Sequence, residues 1–159
     1  MRIVPVLLFI FLLFLSGCVE TREAELKEYY LSLMGESENW KLEGYEIEIT
    51  KETFMAGNGF LNMKNREKYI TDSFSVEVHA VIDNVDTVIQ KNGVSGAGVN
   101  IAFENTGEIV EDTYLDAKGN PITLEDISNV YVVLEWWDLD QKKKMKEIID
   151  LYKPTGDIT

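Results

Sequence analysis

The residue types that most often act in catalysis are scarce in this chain of 159 residues, which contains one histidine and one cysteine. A Ser-His-Asp arrangement would have to use His79, and no Gly-x-Ser-x-Gly elbow accompanies it. His79 falls on the polar side of an alternating segment, which favours a surface histidine without a catalytic role. The 28 acidic residues supply so many carboxylate pairs that none can be singled out as a glycosidase dyad. The sequence therefore predicts no catalytic residue and no enzyme.

Oxygen ligands for a hard cation occur at two predicted turns. Asp83 and Asp86 lie in one turn, and Asp138 and Asp140 lie in the other, at spacings that can hold calcium. Neither turn has the calcium loop of about 12 residues with a closing glutamate. Aspartate also favours turns because it hydrogen-bonds its own backbone. We therefore predict no specific metal site and no cofactor, with these four aspartates as the calcium candidates.

A glycine-rich segment, Gly93–Gly98, is predicted to be a flexible loop. It reverses the order of the dinucleotide-binding fingerprint and lies between strands, with no helix after it. This arrangement argues against a phosphate cradle.

Two adjacent tryptophans are the candidate binding residues. Trp136 and Trp137 lie on one predicted strand, so their side chains point to opposite faces of a sheet. One is expected in the core, and the other is expected either to be partly exposed or to be covered by an N-terminal helix. An exposed tryptophan on a sheet can anchor a sugar or a protein partner.

The first 17 residues have the form of a signal peptide. Arg2 supplies a minimal positive region, and Ile3–Leu15 is an uninterrupted apolar run. A membrane-spanning helix needs about 20 apolar residues, so this run is short for a permanent anchor and suits a signal sequence. It ends at Leu15-Ser16-Gly17-Cys18, which resembles the lipobox of bacterial lipoproteins.

That resemblance implies that residues 1–17 are removed and that Cys18 carries a diacylglyceryl thioether, which excludes Cys18 as a nucleophile. The alternative is an uncleaved signal anchor, or cleavage elsewhere with Cys18 a bystander. The expected location is the cell membrane, lipid-anchored and facing outside the cytoplasm. A net charge of −13 argues against a nucleic-acid partner, whose phosphates select basic surfaces.

The elements after the signal peptide divide into a tether and a β-domain. Leu26, Tyr29, Tyr30, Leu33 and Met34 recur at helical spacing, which predicts a short amphipathic helix over roughly 22–34. From Trp40 the period changes to two, and seven or eight short strands follow without βαβ alternation. The predicted fold is all-β, an antiparallel β-sandwich or a small barrel. The expected organisation is a tether and helix over 18–34, a β-domain over 35–152 and a frayed terminus over 153–159.

The opening Gly35-Glu-Ser-Glu-Asn-Trp40-Lys41 and the late hairpin at Glu135-Trp136 resemble small lipoproteins of Bacillus-type Firmicutes. The resemblance implies an immunoglobulin-like sandwich and transfers no catalytic residue. A well-patterned β-domain without a catalytic constellation favours a non-catalytic extracytoplasmic binding module whose partner is an envelope protein or a glycan. The alternative is a structural or accessory envelope lipoprotein that supports a transporter or sensor and has no ligand of its own.

Overall fold

The computed structural model describes residues 28–154, which form ten β-strands and a single 3₁₀ turn over Leu124–Asp126. The strands are β1 (Tyr29–Glu36), β2 (Trp40–Ile49), β3 (Thr53–Gly57), β4 (Phe60–Met63), β5 (Ile70–Ile82), β6 (Val85–Asn100), β7 (Phe103–Asn105), β8 (Glu108–Asp112), β9 (Ile127–Asp138) and β10 (Lys143–Tyr152). Within these residues, no helix is long and apolar enough to cross a membrane.

Sheet A contains β1, β2, β3, β4, β7 and β8. One edge of β2 pairs with β1, and its other edge pairs first with β4 and then with β3. β7 and β8 continue outward from β4 and β3. Sheet A is therefore four strands wide. At two of these four positions the place of one long strand is taken by two short ones, β3 with β4 and β7 with β8.

The two breaks lie side by side. A Cβ atom at Gly57 would overlap the carbonyl oxygen of Gly107, so only glycine permits this approach. Next to it, the Asn58 amide donates to the Gly107 carbonyl at 2.7 Å, and the Gly59 amide donates to the Thr106 hydroxyl at 2.9 Å. These bonds satisfy backbone groups that the interrupted ladder leaves unpaired.

Sheet B has the strand order β10-β9-β5-β6, and every neighbouring pair is antiparallel. A two-residue turn joins β5 to β6, and both of its residues, Asp83 and Asn84, have positive φ angles of 49° and 64°. Such a turn matches the twist of the strands that it connects. The inner faces of β5 and β9 supply alternating buried side chains, as the period of two predicts.

The core lies between the two sheets and is aromatic at its centre. The Trp40 ring stacks on Phe74 at 5.3 Å between centroids and meets Trp136 edge-on at 5.7 Å. Along one side the sheets close together, because Gly35 of β1 lies against the backbone of β10, where a Cβ atom would overlap the Asp150 carbonyl. The all-β prediction is confirmed as two facing antiparallel sheets.

The predicted helix over 22–34 is wrong where the structure describes it. Residues 22–27 lie outside the described residues, and Tyr29–Glu36 is strand β1. Tyr30 and Met34, which the helical pattern assigned to the buried side, are 58% and 67% exposed. The cause is tertiary pairing, since β1 pairs with β2 from Ile49 back to Lys41. The sheet therefore begins at Tyr29, ahead of the expected boundary at residue 35.

The predicted loop at Gly93–Gly98 is also wrong, because these residues belong to β6. Gly93 approaches β5 closely, and a Cβ atom there would lie 2.8 Å from the Phe74 carbonyl oxygen. Gly93 fits a strand that packs tightly against its neighbour. Gly96 and Gly98 have positive φ angles and lie where the β5–β6 pairing is irregular, between the Ser95 and Val99 pairs.

Candidate functional site

The outer face of sheet B bears the exposed tryptophan that the sequence singles out. Trp136 and Trp137 do point to opposite faces, with Trp136 in the core at 3% exposure and Trp137 outside at 37%. The Trp136 indole N–H donates to the Tyr69 hydroxyl at 3.3 Å, and the Trp137 carbonyl accepts the Thr71 hydroxyl at 2.7 Å. The backbone that presents Trp137 is therefore fixed from within, while its ring faces outward.

Two rows of outward side chains cross the sheet at this point. Trp137 of β9 is directly opposite Lys144 of β10. In the next row, Glu135 is opposite Lys146 on one side and opposite Ser75 on the other, and Ser75 is opposite Gly93. Directly opposed residues have Cβ atoms about 5 Å apart. Large side chains on β9 and β10 therefore border very small ones on β5 and β6.

This difference in size forms a groove of about 350 Å³ on the outer face, which we call the sheet B groove. Its polar lining residues are Ser73, Ser75, Ser95, Glu135 and Lys144, and Gly93 contributes backbone. Since each strand holds its residues in register with the next, the lining is preorganised by the hydrogen-bond ladder.

Charge on this face is balanced by ion pairs. Glu135 contacts Lys144 at 2.5 Å and Lys146 at 3.6 Å, and Glu77 contacts Lys91 at 2.5 Å. The hydrogen bond from Lys144 holds the pKa of the Glu135 carboxyl below its usual range. The hydrogen bond from Lys91 does the same for the pKa of Glu77. The ion-paired residues of this face are three lysines and two glutamates. This patch is therefore locally basic in a chain whose net charge is −13.

The outer face of sheet A differs in charge. In its rows, Tyr30 is opposite Glu48, Phe60 is opposite Glu43, and Glu46 pairs across a hydrogen bond with the Tyr30 hydroxyl. That hydrogen bond raises the pKa of the Tyr30 hydroxyl and lowers the pKa of the Glu46 carboxyl. Exposed aromatics occur on this face as well, but glutamates surround them.

His79 also lies on the outer face of sheet B, farther along β5. Its ring stacks on Tyr131 at 4.7 Å, its Nδ1 lies 3.1 Å from the Asp86 carboxylate and its Nε2 lies 3.7 Å from Glu77. Asp86 also accepts the Tyr131 hydroxyl at 2.9 Å. Among the described residues the polar partners of the ring are these carboxylates, so the structure does not bring His79 together with a serine nucleophile.

The calcium candidates fall at opposite ends of sheet B, because the β5–β6 turn and the β9–β10 turn are at opposite ends of antiparallel strands. Asp83 accepts the Ala117 amide at 3.0 Å, and Asp138 accepts both the backbone and the side-chain N–H of Gln141 at 2.8 and 3.2 Å. Within residues 28–154, no group of three His, Cys, Asp or Glu side chains is arranged to hold a metal ion.

The residues that sequence reasoning missed are Ser73, Ser75, Ser95 and Lys144. The only signal in the sequence was that Ser73 and Ser75 fall on the polar side of the alternating segment around Phe74. Ser95 lay in the predicted loop, so nothing placed it beside them. Cys18, the predicted lipid-attachment residue, lies outside the described residues.

Comparison with known proteins adds no relative to this description. The chain matches no protein-family model, no curated protein and no solved structure.

Proposed function

We propose that this protein is a lipid-anchored, extracytoplasmic binding module that acts without catalysis through the outer face of sheet B. The observation that supports this most directly is the exposed indole of Trp137 beside the sheet B groove. Aromatic side chains with fixed backbones are favoured as binding anchors, since they bury a large area with few rotatable bonds.

The β-scaffold supports the same proposal. Trp137 and Glu135 extend from the central strand β9, which is hydrogen-bonded on both sides. Residues on rigid strands hold a binding geometry more accurately than residues on loops. The constellation of catalytic groups that an enzyme would need is not gathered around His79 in the described chain.

The proposal for the anchor rests on Leu15-Ser16-Gly17-Cys18 and on the apolar run before it. Each acyl methylene buried in lipid contributes about 0.8 kcal/mol, so a doubly acylated cysteine gives durable attachment. The acidic outer face of sheet A would be repelled by anionic headgroups, which favours a domain that stands away from the membrane.

Replacing the cysteine tests the anchor. We expect Cys18→Ala to block signal cleavage and to remove the lipid-dependent partitioning into a detergent phase. The readouts are the intact mass of the purified protein and its distribution after phase separation. A Cys18→Ala protein with the mass and partitioning of the wild type would contradict lipidation.

Proximity crosslinking in intact cells tests the binding face. The wild type is compared with Trp137→Ala and with a matched control, Phe103→Ala, which removes an aromatic side chain that is 59% exposed on sheet A. We expect one crosslinked species that is present in the wild type and in Phe103→Ala and is absent in Trp137→Ala. Equal crosslinking in all three proteins would contradict the proposed face and would favour the accessory role without a ligand.

A further inference from the structure

We propose that the sheet B groove binds an uncharged oligosaccharide, with the indole of Trp137 stacking on one sugar ring and the groove taking the ring next to it. This inference rests on the proposed binding function and specifies its ligand class. The groove, at about 350 Å³, is within the range of small-ligand sites, about 300–1,000 Å³.

The first argument is the chemistry of the groove lining. Three serine hydroxyls, from Ser73, Ser75 and Ser95, line the groove. Among residues 28–154, none of these hydroxyls hydrogen-bonds to another protein group. Each hydroxyl is both a donor and an acceptor, which matches the hydroxyls of a sugar, since these are also both.

The second argument is the wall of the groove. Glu135 and Lys144 form an ion pair at 2.5 Å, and both line the groove. The pair offers a charged acceptor beside a charged donor, and hydrogen bonds to charged groups are stronger than those between neutral groups. Because Glu135 offsets the lysines next to it, the wall favours a ligand with many hydroxyls over an anion.

The third argument is the aromatic platform. Trp137 is directly opposite Lys144 across the β9–β10 ladder, and Lys144 lines the groove, so Trp137 neighbours the groove without being one of its lining residues. A pyranose ring has an apolar face of C–H groups and a rim of hydroxyls. The indole matches the apolar face of the sugar, and the polar groove matches its hydroxyls. A protein partner would instead favour a binding surface with a larger apolar centre.

The same chemistry argues against other ligand classes. A lipid chain would need a largely apolar lining, whereas only three of the nine lining residues are apolar, namely Phe74, Val94 and Trp136. A nucleic acid would need a strongly basic surface to neutralise its phosphates, and this patch has only one more lysine than glutamate among its ion-paired residues.

Binding of defined sugars to purified protein tests the inference. The full chain is purified in a detergent without a sugar headgroup and is titrated by calorimetry with tetrasaccharides of N-acetylglucosamine and of glucose. We expect saturable binding of at least one tetrasaccharide. We expect Trp137→Ala to weaken that binding by at least about tenfold, which corresponds to about 1.4 kcal/mol.

Two further variants separate the groove from the platform. Ser75→Leu fills the groove from its centre and should abolish binding, because Ser75 is outward-facing and the substitution leaves the core unchanged. Phe103→Ala is the matched control on sheet A and should bind as the wild type does. Thermal unfolding checks that all variants are folded.

The outcomes distinguish this inference from the proposed function. If neither tetrasaccharide binds, or if Trp137→Ala and Ser75→Leu bind as well as the wild type, the oligosaccharide inference is wrong. A crosslink in cells that depends on Trp137 would then leave the binding module intact with a protein partner. Without that crosslink, both proposals fail.

Discussion

A buried carboxylate fixes the turn that follows the two tryptophans. Asp138 accepts two hydrogen bonds from Gln141, one from the backbone and one from the side chain. The backbone hydrogen bond from Gln141 holds the pKa of the Asp138 carboxyl below its usual range. A lowered pKa in the folded state means that the ionised carboxylate stabilises the fold at neutral pH.

The pH dependence of unfolding follows from the sign of this shift. The stabilisation is fully present above the unfolded aspartate pKa, about 3.9, and is lost as pH falls through the lower folded pKa. We expect Asp138→Asn to reduce the free energy of unfolding at pH 7 by about 1–2 kcal/mol and to flatten its decline below pH 4. Urea unfolding at pH 7 and pH 3 measures both. If the free energy of unfolding falls equally between pH 7 and pH 3 in the wild type and in Asp138→Asn, the Asp138 carboxylate does not stabilise the fold in this way.

A second residue links the two sheets through the core. The buried Gln90 side chain of β6 accepts the Tyr45 hydroxyl at 2.9 Å and donates to the carbonyls of Thr106 and Gly107 at 2.9 and 3.1 Å. Burial raises the pKa of Tyr45 well above its ordinary value, so its hydroxyl stays a donor. Gln90 of sheet B therefore satisfies polar groups of sheet A across the sandwich-like core.

Removing this link should be costly. We expect Gln90→Leu to lower the free energy of unfolding by about 2–3 kcal/mol, because the Tyr45 hydroxyl is left buried without a partner. Asn92→Leu is the matched control on the same face of β6, since Asn92 is exposed and its contact to Thr106 is long, at 3.5 Å. Equal destabilisation of the two variants in urea unfolding would show that Gln90 does not link the sheets.

Among the elements, β1 shows why local pattern is ambiguous. Tyr29 and Leu33 satisfy both a helical period and a strand period, so the neighbours decide between them. The bulge between Leu33 and Gly35 in the β1–β2 pairing shifts the alternation of β2, whereas burial along β1 alternates throughout. The pairing with β2 is a long-range interaction, and no spacing within residues 22–34 reveals it.

Adjacent lysine substitutions distinguish the strand from the predicted helix. Leu33 is buried and Met34 is exposed, whereas the helical pattern placed both on one side. We expect Leu33→Lys to destabilise the protein by about 2–4 kcal/mol, and Met34→Lys to change stability by no more than about 0.5 kcal/mol. Thermal and urea unfolding compare the two. Similar losses at both positions would contradict the strand.

The glycine-rich part of β6 is a second element that the sequence pattern did not predict. The period of two that begins at Trp40 is confirmed in β2, and the alternating segment that contains His79 is confirmed in β5. The predicted strand that contains both tryptophans is β9. The segment Gly93–Gly98 has too few side chains to show alternation, although it pairs with β5. The groove could not be predicted for this reason, since its floor is formed where those small residues lie beside Ser75.

For the molecule as a whole, the two outer faces have different surface chemistry. Sheet A presents exposed aromatics among glutamates, and sheet B presents Trp137 beside ion-paired lysines and free serine hydroxyls. The sequence predicted the all-β class and the opposite orientation of the tryptophans. Which outer face is less acidic depends on the order of the strands in each sheet. That order is set by long-range pairings, which the spacing of residues along the chain does not reveal.

The most direct test of the central claim compares side-chain footprints of the outer faces in cells and in isolation. Carbene labelling of intact cells and of the purified protein, read by mass spectrometry, reports the accessibility of Trp137 on sheet B and of Phe103 on sheet A. If sheet B is the binding face, labelling of Trp137 falls severalfold in cells while labelling of Phe103 is unchanged. Equal labelling of Trp137 in both samples, or protection of Phe103 alone, would contradict the account.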